Sequence, residues 1–159
     1  MESRIDYTKY AQDAQKSLYA LERYLSTSGL DHKLIHLLKL RASQINGCAY
    51  CIDMHSKDAR ALGETEQRLY ELNAWRETPF YSDQERAALE WIEAITLVSE
   101  THVPDETYDL VKKHFGDKEI VDLTILAGLI NTWNRLAISM RAVPGTYQPK
   151  QVARSTTAP

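Results

Sequence analysis

Apolar residues recur every three to four positions along most of this chain, and that spacing predicts helices. From Tyr7 to Leu25 the positions Tyr10, Ala14, Leu18, Leu21 and Leu25 form one such stripe, ended by Gly29. Asp31 is placed to cap a second helix carrying Leu34, Leu37, Leu38 and Leu40, which Asn46-Gly47 stops. A third helix is expected from Cys48 to Leu62, with Gly63 beyond its end, and Thr65 opens a short fourth toward Trp75. The stretch Glu77 to Tyr81 reads as a loop around Pro79. Ser82-Asp83-Gln84-Glu85 then has the form of a capping box, ahead of an apolar run through Trp91 to Val98. Pro104 suits a first helical turn, Gly116 a stop, and Asp117 the cap of a last, long helix reaching about Arg141 before Pro144-Gly145.

Period-two alternation and hairpin signals are nearly absent. The expected fold class is therefore all-α, a bundle of about seven helices in a single domain over residues 1–147. Residues 148–159 form a polar tail without periodicity. The last helix is apolar over more than one face, through Ile120, Val121, Leu123, Leu126, Ile130, Trp133 and Ile138. Such a helix is either central or shared between subunits, and a chain this small has limited interior, so a homo-oligomer is expected.

Composition narrows the function. With 159 residues, 43% hydrophobic and 26% charged, the chain has enough apolar surface for one folded domain. Nineteen basic against twenty-two acidic residues give a net charge of −3, which supplies no field for a nucleic-acid backbone. No apolar run has membrane-spanning length, and Glu2, Arg4, Asp6 and Lys9 leave no apolar segment for a signal peptide, so the expected location is the cytoplasm.

The two cysteines, Cys48 and Cys51, stand three residues apart, too close to staple a secreted fold. If Gly47 breaks the chain, Cys48 falls at a helix start. At about 100° per residue, Cys51 and His55 then share its face. Unpaired N–H groups and the helix dipole favour a thiolate there. A histidine one turn on can relay its proton, and the second sulfur can resolve an oxidised first one as a disulfide. His36, on the preceding helix, would approach this pair if the two helices fold back around Gly47. Two other readings of these residues stay open: a pair of buried inert thiols, and a zinc site made from Cys48, Cys51, His55 and His36. His32, His102 and His114 have no clustered partners and are expected at exposed helix ends. Asp53 is expected on the solvated face.

The run Leu37-Leu38-Lys39-Leu40-Arg41-Ala42-Ser43-Gln44-Ile45-Asn46-Gly47-Cys48-Ala49-Tyr50-Cys51-Ile52-Asp53-Met54-His55 resembles the core signature of the AhpD-like alkylhydroperoxidases, within the carboxymuconolactone decarboxylase superfamily. Ile120-Val121-Asp122-Leu123-Thr124 and Asn131-Thr132-Trp133-Asn134-Arg135 are similar to that family's C-terminal helix. The resemblance covers roughly residues 15–145. It implies an AhpD-like helical fold, a homo-oligomer (trimer or hexamer), and hydroperoxide reduction by a thiol pair with neither haem nor metal. It implies Cys51 as the attacking thiol, Cys48 as the resolving one and His55 in a proton relay, with electrons from a dithiol or a lipoylated protein. The chain departs from the pattern Glu-x11-Cys-x-His-Cys-x3-His twice: His36 stands in the glutamate position and Tyr50 in that of the first histidine. His36 remains a candidate base. A lyase of the wider superfamily and a non-catalytic redox sensor are the competing functions.

Overall fold

A computed structural model describes residues 2–149. Among them the chain forms eight α-helices, two short 3-10 segments and no strand. The helices are α1 (Gln12–Ser26), α2 (His32–Asn46), α3 (Ala49–Ala61), α4 (Glu66–Tyr70), α5 (Asp83–Thr96), α6 (Val98–Thr101), α7 (Asp105–Lys112) and α8 (Asp117–Met140). The all-α expectation holds. Of the polar tail, residues 150–159 lie outside the described residues.

The local signals account for most helix ends. The Asp31 carboxylate accepts the Leu34 N–H at 2.9 Å, and Gly47 closes α2 with a left-handed φ of 68°. Ser82 and Glu85 form the reciprocal capping box of α5. Gly116, expected as a stop, is instead the N-cap of α8; Glu119 reaches back to accept its N–H at 2.8 Å, and Asp117 is the first helical residue.

The first predicted helix begins five residues late. Asp6 takes the Thr8 N–H and holds residues Tyr7–Lys9 in a single 3-10 turn, after which Ala11 is left-handed. The Gln15 amide then donates to the carbonyls of Tyr7 and Tyr10, each at 2.6 Å. The apolar run after Trp91 likewise breaks at Leu97 into α5 and the one-turn α6.

Helix α2 is the centre of the molecule and packs against α3, α5 and α8. Its Leu37, Leu38 and Leu40 are fully buried beside Leu89 and Ile92 of α5 and Leu123, Leu126 and Ile130 of α8. Each such side chain contributes on the order of 1.5–3 kcal/mol by leaving water. Helix α8 is buried over a broad face, while Val121 and Ile138 stay exposed. The tight α2–Gly47–α3 hairpin lays the faces of Lys39 and His36 against those of Cys51 and His55, and so sets the geometry of the site.

Candidate active site

Cys48 occupies the N-cap of α3 in extended conformation, and its Sγ accepts the Cys51 backbone N–H at 3.4 Å. A hydroxyl or carboxylate oxygen usually fills that role; here a sulfur does. Both cysteines are free and 1% exposed, packed with Ala137, Tyr50 and Ala142.

Hydrogen bonding divides the two sulfurs. The Cys51 side chain, the N–H groups of Cys51 and Tyr50 and the Asn134 amide all favour a charged Cys48, which outweighs burial and brings its thiol down to about 7. The same bond pushes the Cys51 thiol well up, because it must keep its proton to serve Cys48, and burial adds to this. Helix-start reasoning thus identifies the more acidic sulfur as Cys48.

Access divides them differently. Cys51 lines a cavity of about 360 Å³ whose wall also presents His36, His55, Asp58, Tyr50 and Tyr147. Cys48 opens instead on a separate depression near Arg4 and Arg141. Tyr50 lines both the Cys51 cavity and the Cys48 depression.

The two histidines meet across the hairpin, His36 Nδ1 lying 3.4 Å from His55 Nδ1. His36 therefore approaches His55, and both line the cavity together with Cys51 but not Cys48. Burial first, then the Lys39 charge, lowers both imidazoles: His36 to about 4 and His55 well below its usual range. Both are neutral at pH 7. Lys39 is itself buried and paired with Glu22, which also accepts the Trp133 indole N–H at 3.0 Å.

Several participants were not singled out by sequence. Asp58 Oδ2 lies 3.7 Å from His36 Nδ1, and burial raises its carboxyl. Its other oxygen accepts the Tyr147 hydroxyl at 2.7 Å. Asp58 follows His55 by three positions, so its place on the same face was readable. Tyr147 arrives from the far end of the chain, tied down where Lys57 donates to its carbonyl and Gly145 donates to Asp53. Asp53 is thus half-buried and an anchor for this C-terminal strap, not a solvated residue. Asn134, fully buried on α8, accepts from Asn46 and donates to Ser43 behind the sulfurs. His32 is exposed at a groove shared with His36 and Asp58, His102 is exposed as the cap of α6, and His114, expected to be exposed, is half-buried in the turn after α7.

The site's sequence and shape both match known proteins. The carboxymuconolactone decarboxylase family model covers residues 11–94, which include both cysteines and both central histidines. The chain belongs to the carboxymuconolactone decarboxylase family. The uncharacterized protein YdfG of Bacillus subtilis is 46% identical over 140 residues, spanning 88% of this chain and 95% of that protein. A crystal structure of an Agrobacterium tumefaciens protein of unknown function, suggested to be the antioxidant defence protein AhpD, superposes with a TM-score of 0.88 at 47% identity, over 92% of this chain and all of that one. An uncharacterized peroxidase-related protein of Ralstonia eutropha, with an alkylhydroperoxidase AhpD core, shares the fold at a TM-score of 0.77 and 17% identity, over 87% of this chain and 74% of that one. The all-helical, AhpD-like character of this carboxymuconolactone decarboxylase family member is therefore shown. Among the described residues, no helix is long and apolar enough to cross a membrane.

Proposed function

We propose that this chain reduces organic hydroperoxides with its Cys48–Cys51 dithiol, Cys51 attacking and Cys48 resolving. The observation that carries the reading is the position of Cys51, hydrogen-bonded to an acidic sulfur on one side and lining the His55 cavity on the other. Acidity alone favours Cys48 as nucleophile; the cavity that Cys51 shares with both histidines supports Cys51, because the attacking sulfur needs a proton relay beside the bond it breaks.

The pair ionises first at Cys48, releasing one proton to solvent. The Cys51 proton passes along the S–H···S bond to Cys48, leaving a Cys51 thiolate at the cavity wall. That sulfur attacks the distal oxygen of ROOH; the O–O bond breaks, Cys51 becomes a sulfenic acid, and RO− takes up a proton by way of His36 and His55 to leave as ROH. The Cys48 thiol then attacks the Cys51 sulfur, the S–S bond forms, and the hydroxyl leaves as water with the Cys48 proton. Two thiols are oxidised and one peroxide is reduced. Electrons to reopen the disulfide come from a second dithiol, free or as a lipoyl group on a partner protein.

The family and its peroxidase-related and antioxidant relatives support this reading. The exposed Val121 and Ile138 of α8, with Leu21 and Tyr24 of α1, support assembly of several copies, and light scattering is expected to give the mass of a trimer or hexamer. The deciding assay follows peroxide consumption with dithiothreitol as reductant. Wild-type protein turns over and Cys51→Ser falls at least a hundredfold; equal rates for the two overturn the proposal.

A further inference from the structure

Among the described residues, one group of metal-capable side chains converges: His36, His55 and Asp58, whose ligating atoms all lie within 4.8 Å of one another. The separation of the two Nδ1 atoms, 3.4 Å, is close to the edge of a tetrahedron around zinc, roughly 3.3 Å for the usual Zn–N bonds. The carboxylate oxygen lies 3.7 Å from His36 Nδ1, and the group, spread over up to 4.8 Å, contracts by about 1–1.5 Å at its widest edge to enclose a tetrahedral ion. The free Asp58 oxygen is already held by the Tyr147 hydroxyl at 2.7 Å, the kind of outer partner that fixes a ligating carboxylate. His55 is buried, His36 and Asp58 are mostly covered, and the fourth side of the group opens on the cavity. The nearby positive charge of Lys39 is matched by Glu22.

We propose that His36, His55 and Asp58 bind one divalent transition-metal ion of the zinc class, with its fourth position facing the Cys51 cavity. Two imidazoles and a carboxylate select zinc, cobalt or nickel over magnesium and calcium, which prefer oxygen shells. The ion has no part in the dithiol chemistry. By occupying the imidazole nitrogens it blocks the proton route and acts as a brake on it. The inhibition rests on the proposed peroxide chemistry, but the binding does not.

The test uses Co2+ as a visible probe in the Cys48→Ser/Cys51→Ser protein, which has no thiols and no peroxidase cycle. The expected result is one equivalent bound with the visible bands of four-coordinate cobalt, displaced by Zn2+, and a higher melting temperature with zinc. His36→Gln and Asp58→Asn each weaken binding at least tenfold while keeping helical circular dichroism and a cooperative melt. Folded double-serine protein without stoichiometric binding overturns the proposal. So do bands confined to protein with both thiols and unaffected by Asp58→Asn, which place the ion on the sulfurs. Because binding is read without turnover, an inactive peroxidase leaves this result standing, and failed binding leaves the peroxide assay untouched.

Discussion

The Cys48 sulfur accepts the backbone N–H of Cys51 at 3.4 Å, so the residue that keeps its proton is also the one that acidifies its neighbour. Alkylation of Cys48, followed against pH by mass spectrometry, should show a midpoint near 7, and Cys51→Ala should move it upward toward an ordinary thiol. A Cys48 midpoint unmoved by that change would remove the sulfur–sulfur bond from the explanation.

The same shift has a sign for stability. A thiol whose folded pKa lies below its unfolded one leaves the unfolded state holding more protons between the two values. The reduced protein should therefore gain resistance to urea as pH rises from about 7 toward 9, and lose it as pH falls through 7. Above that window the raised Cys51 acts in the opposite direction. Cys48→Ser should flatten the rise.

Removing the resolving sulfur should stop the cycle after one oxidation. In Cys48→Ser, which also lacks the sulfur that takes the Cys51 proton, peroxide should slowly leave a sulfenic acid on Cys51 that dimedone traps, in place of the disulfide formed by wild-type protein. Label on Cys48 in the Cys51→Ser protein, with none on Cys51 in Cys48→Ser, would reverse the two assigned roles.

Behind the sulfurs, Asn134 joins Asn46 to Ser43 and is fully buried. Asn134→Ala removes one partner each from Asn46 and Ser43, which keep Asn131 and the Lys39 carbonyl, and should cost about 1–3 kcal/mol in urea unfolding. It should also raise the Cys48 alkylation midpoint, since the amide helps hold that charge.

Tyr147→Phe removes only the hydroxyl that Asp58 accepts. It should lower zinc affinity about 10–100-fold, measured by competition against Co2+, with little change in melting temperature of the metal-free protein. Unchanged affinity would separate the strap from the carboxylate it covers.

Local chemistry made much of this structure legible. Asp31, Gly47 and Ser82 each act through atoms within a few residues of themselves, and the shared face of Cys51 and His55 follows from helical pitch. What escaped depends on long-range closure. Tyr147 meets Asp58 from 89 positions away, and Asn134 reaches Ser43 from 91. The side chains of Asp6 and Gln15 were stronger than the apolar stripe between Tyr7 and Ala11, because they satisfied backbone groups a helix would have needed. Asp58 stands one helical turn past His55, so its place beside the cavity follows from helical pitch just as that of Cys51 does.

Since a sulfur does the work of an oxygen at the head of α3, the state of the dithiol is written into the backbone. Converting Cys48 to a disulfide sulfur takes away its negative charge and most of its power to accept the Cys51 amide. The opening turn then loosens, and deuterium uptake at that single amide becomes a gauge of how many electrons the protein is carrying.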